Sequence, residues 1–538
     1  PMSKNSVTRR SFLALSGGGV AALVVAACTP SSGPTTTSSI TSTTLEGATT
    51  TTTTTSTGGP VDVEISLRAI RDTVAIRSGI DTDVWRYVAE VTEGDPGAVS
   101  VIEGSYLGPT FRFRKGQRVR IIFDNEIPDR SIVHWHGLDV PEDMDGHPRF
   151  AVPEGGQYVY EFTVENRAGT YWYHPHPHGR TGPQVYAGMA GLILITDDEE
   201  EALSLPSGEF DLPVVIQDRT FDGDAMVYLP NGMMDQMNGF LGEEILVNGT
   251  PDASFGVAGR SYRLRILNGS NSRIYKLAWD DSTPLVVLTT DGGLLENPVT
   301  RPYVTLGPAE RVDLWVDFGP DSVGDTRKLI SLPFIAPSGG MMGGSSSLPL
   351  GTGFDVASFT VDRAAESTDE LPDNLSDPGF ASLEDAVNRN SARVVTLAMA
   401  GGGWTLNGRR FEMLDVASDE EVKFGTTEIW EFYNAGGGMG GGMGGGGGGG
   451  GLPHPMHMHG QQFQIIARTI EDSGRNAWDS IREGYVDDGW KDTVLVMPGE
   501  RVRVLRRFTT FPGLFLYHCH NLEHEDMGMM RNFRINEG

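Results

Sequence analysis

The chain has 538 residues, enough for three domains of ordinary size with buried cores. It carries 71 acidic against 42 basic side chains, a formal net charge of −29 at pH 7. Such an acidic chain repels phosphate backbones and anionic lipid surfaces, which excludes nucleic acid and electrostatic membrane binding as primary roles.

Residues 1–28 have the composition of an export signal. Thr8-Arg9-Arg10-Ser11-Phe12-Leu13 resembles a twin-arginine signal and precedes an apolar run that ends at Ala27. The run spans roughly 15 residues, too few to cross a bilayer comfortably as a helix. Val25-Ala26-Ala27-Cys28 resembles a lipoprotein cleavage box, so we expect a lipid on Cys28; the alternative is cleavage nearby with Cys28 discarded. We therefore expect an exported protein, periplasmic or at the cell surface.

The next residues, 29–59, are rich in Ser, Thr, Gly and Pro and predict a flexible tether. From Val61 onward, short alternating segments broken by Gly, Pro, Asn and Asp predict β-sandwiches with little helix. Cys28 and Cys519 are the only cysteines in the sequence. We therefore predict no disulfide within the folded part and a metal role for Cys519, its sole thiol.

An internal repeat divides the folded part into three copies. The segments 108–125, 247–268 and 406–434 resemble one another. The predicted limits are domain 1 at 60–200, domain 2 at 201–365, an acidic linker at 366–390 and domain 3 at 391–538.

Ten of the 12 histidines fall in four short motifs. They are His134-Trp135-His136-Gly137, His174-Pro175-His176, His454-Pro455-Met456-His457-Met458-His459-Gly460 and His518-Cys519-His520, the last followed by His524 and Met529. Side chains two apart on a strand share a face, so each His-x-His pair presents two imidazoles to one side. Cys519 then points away from both its neighbours. Two His with a Cys and a weak Met describe a blue-copper site.

The motifs of the first and third copies correspond. Segment 169–176 matches 513–520, with Pro175 where the third copy has Cys519, so the first copy should lack a blue copper. No histidine lies between Gly179 and Pro453, so the second copy should contribute no imidazole and act as a spacer. The eight paired histidines are predicted to converge where the first and third domains meet.

Together these motifs resemble the three-domain bacterial multicopper oxidases, the laccase and cuprous-oxidase family, from about residue 60 to the end. The resemblance implies an all-β chain of three consecutive Greek-key cupredoxin-like β-sandwich domains. It implies four copper ions, one type 1, one type 2 and two type 3. It also implies one-electron oxidation of Cu(I) or of a phenolic or aromatic donor, coupled to four-electron reduction of dioxygen to water. We expect a monomer.

The same resemblance assigns the ligands. The type 1 copper would take His454, Cys519, His524 and, as weak axial ligand, Met529. The type 2 copper would take His134 and His457. The two type 3 coppers would take His136, His174, His176, His459, His518 and His520. Electrons would pass from the type 1 copper through Cys519 to His518 and His520.

Two carboxylates are candidate proton carriers. Asp145 follows the first motif, and Glu525 directly follows His524, both where the family places acidic residues. The alternative for each is a solvated turn residue. His147 and His178 lie outside the motifs, and we expect His178 at the surface or beside a ligand.

The Gly-rich tract 436–451 is predicted to be a loop within the third domain. Our hypothesis is that its Met439 and Met443 capture Cu(I), since thioethers favour that ion; the alternative is a low-complexity insertion. Further methionine clusters that are candidates for the same role are Met233, Met234, Met237, Met341 and Met342.

Three other functions fit these motifs less well. A copper nitrite reductase shares cupredoxin domains but has two per chain and lacks the eight paired histidines. A copper-free envelope protein of the same fold would have eroded ligands, and none is missing here. A copper store would need Met- and His-rich surface clusters in place of four ordered motifs.

Overall fold

The computed structural model describes residues 59–77, 79–228, 233–337, 346–365, 367–436 and 451–537. The predictions for the export signal, Cys28, nearly all of the tether, Met341, Met342, Met439 and Met443 concern residues outside these ranges. Within these ranges the chain has far more strand than helix, which confirms the all-β prediction. The α-helices are short: α1 (Thr181–Tyr186), α2 (Asp198–Glu201), α3 (Met233–Asn238), α4 (Arg475–Asp479) and α5 (Leu522–Asp526). Short 3₁₀-helices lie at Pro96–Ala98, Pro148–Phe150, Gly208–Phe210, Leu383–Asp385, Ser418–Glu420 and Arg482–Gly484. None of the described helices combines the length and apolar character that crossing a bilayer requires.

The first sandwich packs a four-stranded sheet, β2-β1-β5-β7, against a five-stranded sheet, β3-β4-β9-β8-β6. Its strands are β1 (Val63–Arg77), β2 (Ile80–Glu93), β3 (Val99–Ser100), β4 (Thr110–Arg114), β5 (Arg118–Asn125), β6 (Val133–His136), β7 (Gly156–Thr163), β8 (Gly169–Pro175) and β9 (Gly191–Thr196). Burial alternates along β5 because one face meets the core and the other meets solvent. By contrast, β6 and β8 are buried on both faces. Their outer face must therefore meet another part of the protein.

The second sandwich packs a seven-stranded sheet, β14-β13-β10-β16-β21-β18-β19, against a five-stranded sheet, β15-β23-β22-β17-β20. Its strands are β10 (Asp211–Arg219), β11 (Phe221–Asp222), β12 (Ala225–Met226), β13 (Glu244–Val247), β14 (Thr250–Pro251), β15 (Ser254–Gly259), β16 (Ser261–Asn268), β17 (Tyr275–Trp279), β18 (Leu285–Thr290), β19 (Gly293–Arg301), β20 (Val304–Leu306), β21 (Arg311–Asp317), β22 (Thr326–Ser331) and β23 (Phe354–Ala364). The strands β11 and β12 form a separate small ribbon.

The third sandwich packs a six-stranded sheet, β25-β24-β27-β32-β29-β30, against a five-stranded sheet, β26-β34-β33-β28-β31. Its strands are β24 (Arg393–Ala400), β25 (Gly403–Leu406), β26 (Glu421–Lys423), β27 (Thr426–Asn434), β28 (His454–Met458), β29 (Phe463–Ile470), β30 (Trp490–Lys491), β31 (Thr493–Val496), β32 (Glu500–Phe508), β33 (Gly513–Cys519) and β34 (Met530–Asn536). Like β6 and β8, strand β28 is buried on both faces.

The three sandwiches share one topology, as the internal repeat predicts. In each, the first strand pairs in parallel with a strand of the same sheet: β1 with β5, β10 with β16, and β24 with β27. In each, an early strand of the other sheet pairs in parallel with the last strand: β4 with β9, β15 with β23, and β26 with β34. The prediction of three consecutive cupredoxin-like sandwiches is confirmed. The exact domain limits remain predictions.

The segment 367–390 contacts all three sandwiches. Arg260 of the second sandwich donates to Asp369 at 2.6 Å, and Arg167 of the first donates to Ser376 at 2.7 Å. Trp490 of the third sandwich donates to the carbonyl of Pro378 at 2.7 Å. This segment therefore links the three sandwiches to one another by hydrogen bonds. The positions of the sandwiches relative to one another determine the geometry of the histidine site.

Candidate metal centre

Nine of the ten motif histidines lie on or just beyond strands of the five-stranded sheets of the first and third sandwiches, and the tenth, His524, lies in α5. In the first, β6 pairs with β8 so that His134 lies opposite His174. In the third, β28 pairs with β33 so that His457 lies opposite His518. The two sheets thus present histidines in corresponding registers, and all ten side chains are at most 1% exposed. The buried outer faces of these strands meet each other.

The eight paired histidines converge at that meeting. His134 and His457 bring their Nε2 atoms within 3.3 Å of each other. One triad combines His136 and His174 of the first sandwich with His520 of the third, and their ligand atoms lie within 4.8 Å of one another. A second triad, at the same spacing, combines His176 of the first sandwich with His459 and His518 of the third. Both triads therefore take ligands from two domains.

A third group lies inside the third sandwich. The Cys519 sulfur is 3.4 Å from His454 Nδ1 and 3.6 Å from His524 Nδ1, and the two imidazole nitrogens are 3.2 Å apart. Met529 is fully buried in the same core cluster, and its carbonyl accepts a 3.0 Å hydrogen bond from the Cys519 amide. Since Cys519 faces this group, its neighbours His518 and His520 face the two triads on the other side of the strand.

The chemistry of these donors fits copper. Burial lowers the pKa of His174 and of His524 to about 3. Burial, with the neighbouring imidazoles, also lowers the pKa of His136, His457 and His459 well below 6.5. These rings are therefore neutral at pH 7, the state that binds a metal. Burial raises the pKa of the Cys519 thiol well above its usual range, so a bound metal must displace its proton.

The sequence and the fold both match known proteins. Family models described as multicopper oxidase match residues 85–200 and 386–538. The bilirubin oxidase of Albifimbria verrucaria is 32% identical over 475 residues, which cover 84% of this chain and 76% of that protein. The chain belongs to the multicopper oxidase family.

Two further relatives of this multicopper oxidase are bacterial. A laccase of Bacillus subtilis (strain 168) is 29% identical over 488 residues, which cover 81% of this chain and 89% of that protein. The crystal structure of the McoA multicopper oxidase from Aquifex aeolicus superposes with a TM-score of 0.71 at 35% identity. That match covers 89% of this chain and 97% of the other. The predicted enzyme is confirmed: a copper oxidase that couples oxidation of a reducing substrate to reduction of dioxygen, in a family that typically binds four coppers.

Both candidate proton carriers of this oxidase are buried beside histidines and are not solvated turn residues. The Asp145 Oδ2 atom accepts a 2.7 Å hydrogen bond from His459 Nδ1. The Glu525 carboxylate lies 3.2 Å from His518 Nδ1 and 3.6 Å from His176 Nε2. Each carboxylate therefore contacts one or more of the eight histidines that converge between the first and third sandwiches.

The two histidines outside the motifs stay outside the triads. His147 is buried, and its Nε2 contacts the Asn532 side chain at 2.9 Å. His178 is exposed and packs on Phe411, with ring centroids 4.9 Å apart. The surface interpretation of His178 agrees with this position.

Asp492 and Arg311 are not among the residues predicted from the sequence. Asp492 is fully buried, accepts a 3.0 Å hydrogen bond from His136 Nε2, and is bound by both terminal nitrogens of Arg311 at 2.7 Å. In the sequence, Asp492 stands out as a charged residue directly before the mostly apolar run Thr-Val-Leu-Val-Met. Nothing in that run identifies its partners, because they come from the other two sandwiches.

The second sandwich also reaches the third group. The Met237 carbonyl, at the end of α3, accepts 2.8 Å hydrogen bonds from His524 Nε2 and from the Trp404 indole. The Trp404 ring lies 4.6 Å from that of His454 and 5.1 Å from that of His524. A methionine-containing helix and an indole therefore cover the histidines beside Cys519.

Proposed function

We propose that this oxidase binds its type 1 copper at His454, Cys519, His524 and Met529. The trinuclear cluster would take the eight paired histidines, with His134 and His457 on the type 2 copper and one triad on each type 3 copper. The observation that carries this proposal is the position of Cys519. Its sulfur faces one ligand group, while the adjacent residues on both sides face the two triads.

The chain's own residues then have distinct tasks. Four coppers, when bound, supply the four electrons that reduce one dioxygen to two waters. The Cys519 backbone joins the type 1 group to His518 and His520 through a few covalent bonds. Asp145 and Glu525, which contact different histidines of the cluster, deliver protons to it. Burial raises the pKa of Asp145, and its Oδ1 has no hydrogen-bond partner among the described residues, so that oxygen is placed to hold a proton.

We propose Cu(I) as the electron donor. His524 is fully buried, and its Nε2 is already occupied by the Met237 carbonyl. A planar phenol therefore cannot reach the edge of this imidazole unless α3 moves. A single ion needs far less space, and α3 has the sequence Met-Met-Asp-Gln-Met-Asn, whose thioethers favour Cu(I). The second candidate is a phenolic donor, because relatives are named laccase and bilirubin oxidase.

The test compares steady-state rates with Cu(I), ferrous iron and a methoxyphenol under air, in the wild type and two variants. Trp404→Ala removes the indole cover and should raise the phenol rate relative to the Cu(I) rate. Trp404→Phe keeps a ring there and should hold the wild-type ratio. Retained blue absorption would show that both variants keep the type 1 copper. A wild-type kcat/KM for the phenol that exceeds the value for Cu(I) would overturn the proposed donor and leave the oxidase assignment intact.

We also propose that the protein is exported, carries a lipid on Cys28, and works as a periplasmic or cell-surface monomer. The signal-like residues 1–28 support export, and the acidic composition argues against electrostatic attachment to anionic membranes. The Cys28→Ala variant should move from the membrane fraction to the soluble fraction while keeping its blue colour. Light scattering on the purified protein should give the mass of one chain; twice that mass would contradict the monomer.

A further inference from the structure

Asp145 and Asp492 occupy equivalent places on two sides of the converging histidines. The Asp145 carbonyl accepts from His134 Nδ1 at 2.6 Å, and its carboxylate accepts from His459 Nδ1 at 2.7 Å. The Asp492 carbonyl accepts from His457 Nδ1 at 2.8 Å, and its carboxylate accepts from His136 Nε2 at 3.0 Å. Each aspartate thus holds the type 2 histidine of its own sandwich and one type 3 histidine of the opposite sandwich.

The second sandwich breaks this symmetry. Arg311, fully buried at the start of β21, directs both terminal nitrogens at the two carboxylate oxygens of Asp492. Its other hydrogen bonds go to three carbonyls, those of Thr170, Asp291 and Ala309. All five donors of the guanidinium are therefore used, which fixes its plane. The Asp145 Oδ1 atom, by contrast, has no hydrogen-bond partner among the described residues.

The ion pair of Asp492 and Arg311 packs closely against Gly137, the last residue of the first histidine motif. This glycine has a φ of +86°, and a Cβ there would lie 2.4 Å from Asp492 Oδ2 and 2.9 Å from Arg311 Nη2. Any larger residue would collide with the ion pair as well as strain the backbone. The turn after His136 in the first sandwich therefore leaves room for the ion pair between Arg311 of the second sandwich and Asp492 of the third.

His136 differs from its partners in the nitrogen that it presents. Because its Nε2–H points at Asp492, its Nδ1 faces the triad, 3.4 Å from His174 Nε2. His520 instead presents Nε2, also 3.4 Å from His174 Nε2. A hydrogen bond at one ring nitrogen fixes which nitrogen is free to bind a metal.

We propose that Asp492, fixed by Arg311, is a positioning residue that holds His136 in the Nδ1-presenting tautomer required by one type 3 copper. The second sandwich, which lacks histidine, therefore helps to assemble the trinuclear cluster through a hydrogen-bonded chain as well as spacing its neighbours. This inference rests on the proposed ligand set. Outer hydrogen bonds of this kind are typically worth about 10–100-fold in metal affinity or activity.

The test measures copper retained against a chelator, the type 2 paramagnetic signal, and reoxidation of the reduced enzyme by dioxygen. Asp492→Asn should lose trinuclear copper about 10–100-fold more readily and reoxidise more slowly, with the blue absorption kept. Arg311→Lys keeps the positive charge but cannot donate two parallel hydrogen bonds to the Asp492 carboxylate. It should therefore lose trinuclear copper less readily than Asp492→Asn but more readily than the wild type. A double variant, Arg311→Lys with Asp492→Asn, should be no worse than Asp492→Asn alone.

Asp313 provides the matched control. It is a fully buried aspartate on the same strand as Arg311, is bound by Arg263 at 2.6 and 2.9 Å, and touches no histidine of the site. Asp313→Asn should lower the unfolding temperature while leaving copper retention and reoxidation unchanged. Equal copper loss in Asp313→Asn, or wild-type copper retention in Asp492→Asn, would overturn the proposal. Full copper retention in His136→Ala would instead overturn the ligand assignment itself.

Discussion

The Thr181 hydroxyl donates a 2.7 Å hydrogen bond to Glu525 Oε1, joining α1 of the first sandwich to α5 of the third. The bond fixes one carboxylate oxygen while the other lies 3.2 Å from His518 Nδ1. Glu525→Gln keeps the shape of this side chain but cannot release a proton. We expect reoxidation by dioxygen to slow about 100-fold, with reduction of the blue copper by donor unchanged.

The neighbouring Glu523 is the control for that prediction. It is also buried in α5, but its carboxylate accepts from Asn271 at 2.9 Å and from Phe240 N at 3.0 Å, both in the second sandwich. Glu523→Gln should leave reoxidation by dioxygen unchanged in stopped-flow traces. Equal slowing in both variants would mean that α5 is merely disturbed and that Glu525 carries no proton.

Cys519→Ser should abolish the blue colour and the oxidase activity while leaving trinuclear copper largely bound. A hydroxyl does not replace the thiolate as a ligand for redox copper, and the two triads contain no sulfur. Absorption spectroscopy and copper analysis check this directly. Cys28→Ser, the only other cysteine variant the chain offers, should stay blue. A blue Cys519→Ser protein would place the type 1 copper elsewhere.

His176 and His178 share strand parity but differ in environment, since His176 is fully buried in a triad and His178 is exposed. His176→Ala should leave the blue copper reducible by donor and stall its reoxidation by dioxygen. His178→Ala should behave as the wild type in the same stopped-flow experiment. Unchanged turnover in His176→Ala would contradict a cluster at the domain interface.

Asp139 should make stability depend on pH. Burial raises the pKa of Asp139 to about 7, whereas an aspartate in an unfolded chain titrates near 3.9. Between these values the folded state holds a proton that the unfolded state has lost. The stability contribution of this group is therefore present below about pH 4 and falls by about 1.4 kcal/mol per pH unit up to about pH 7. Asp139→Asn should remove that slope from urea-unfolding midpoints; parallel pH profiles would contradict the shift.

Much of the site follows from periodicity alone. The two-residue repeat of a strand predicts that His518 and His520 share a face and that Cys519 takes the other, and the structure has this arrangement. The match between the first and third copies likewise predicts that their paired histidines converge, and both triads draw on these two sandwiches. These inferences succeed because each depends on residues a few positions apart or on an internal repeat.

The contacts that the sequence conceals join residues far apart in the chain. Arg311 and Asp492 are separated by 181 positions, and Met237 and His524 by 287. No local pattern marks either pair, because each forms only when whole sandwiches pack together. The choice of ring nitrogen at His136 depends on such a contact and is hidden for the same reason.

The mixed origin of both triads has a thermodynamic consequence. A copper ion held by His136, His174 and His520 is bound by the first and last sandwiches at once, and so is one held by His176, His459 and His518. An ion that binds only when the two sandwiches are packed together stabilises the packed state by mass action. The concentration of available copper should therefore affect how strongly the first and third sandwiches hold together. A chain starved of metal should separate first along this interface, and its resistance to heat and proteases should rise with the copper available to it.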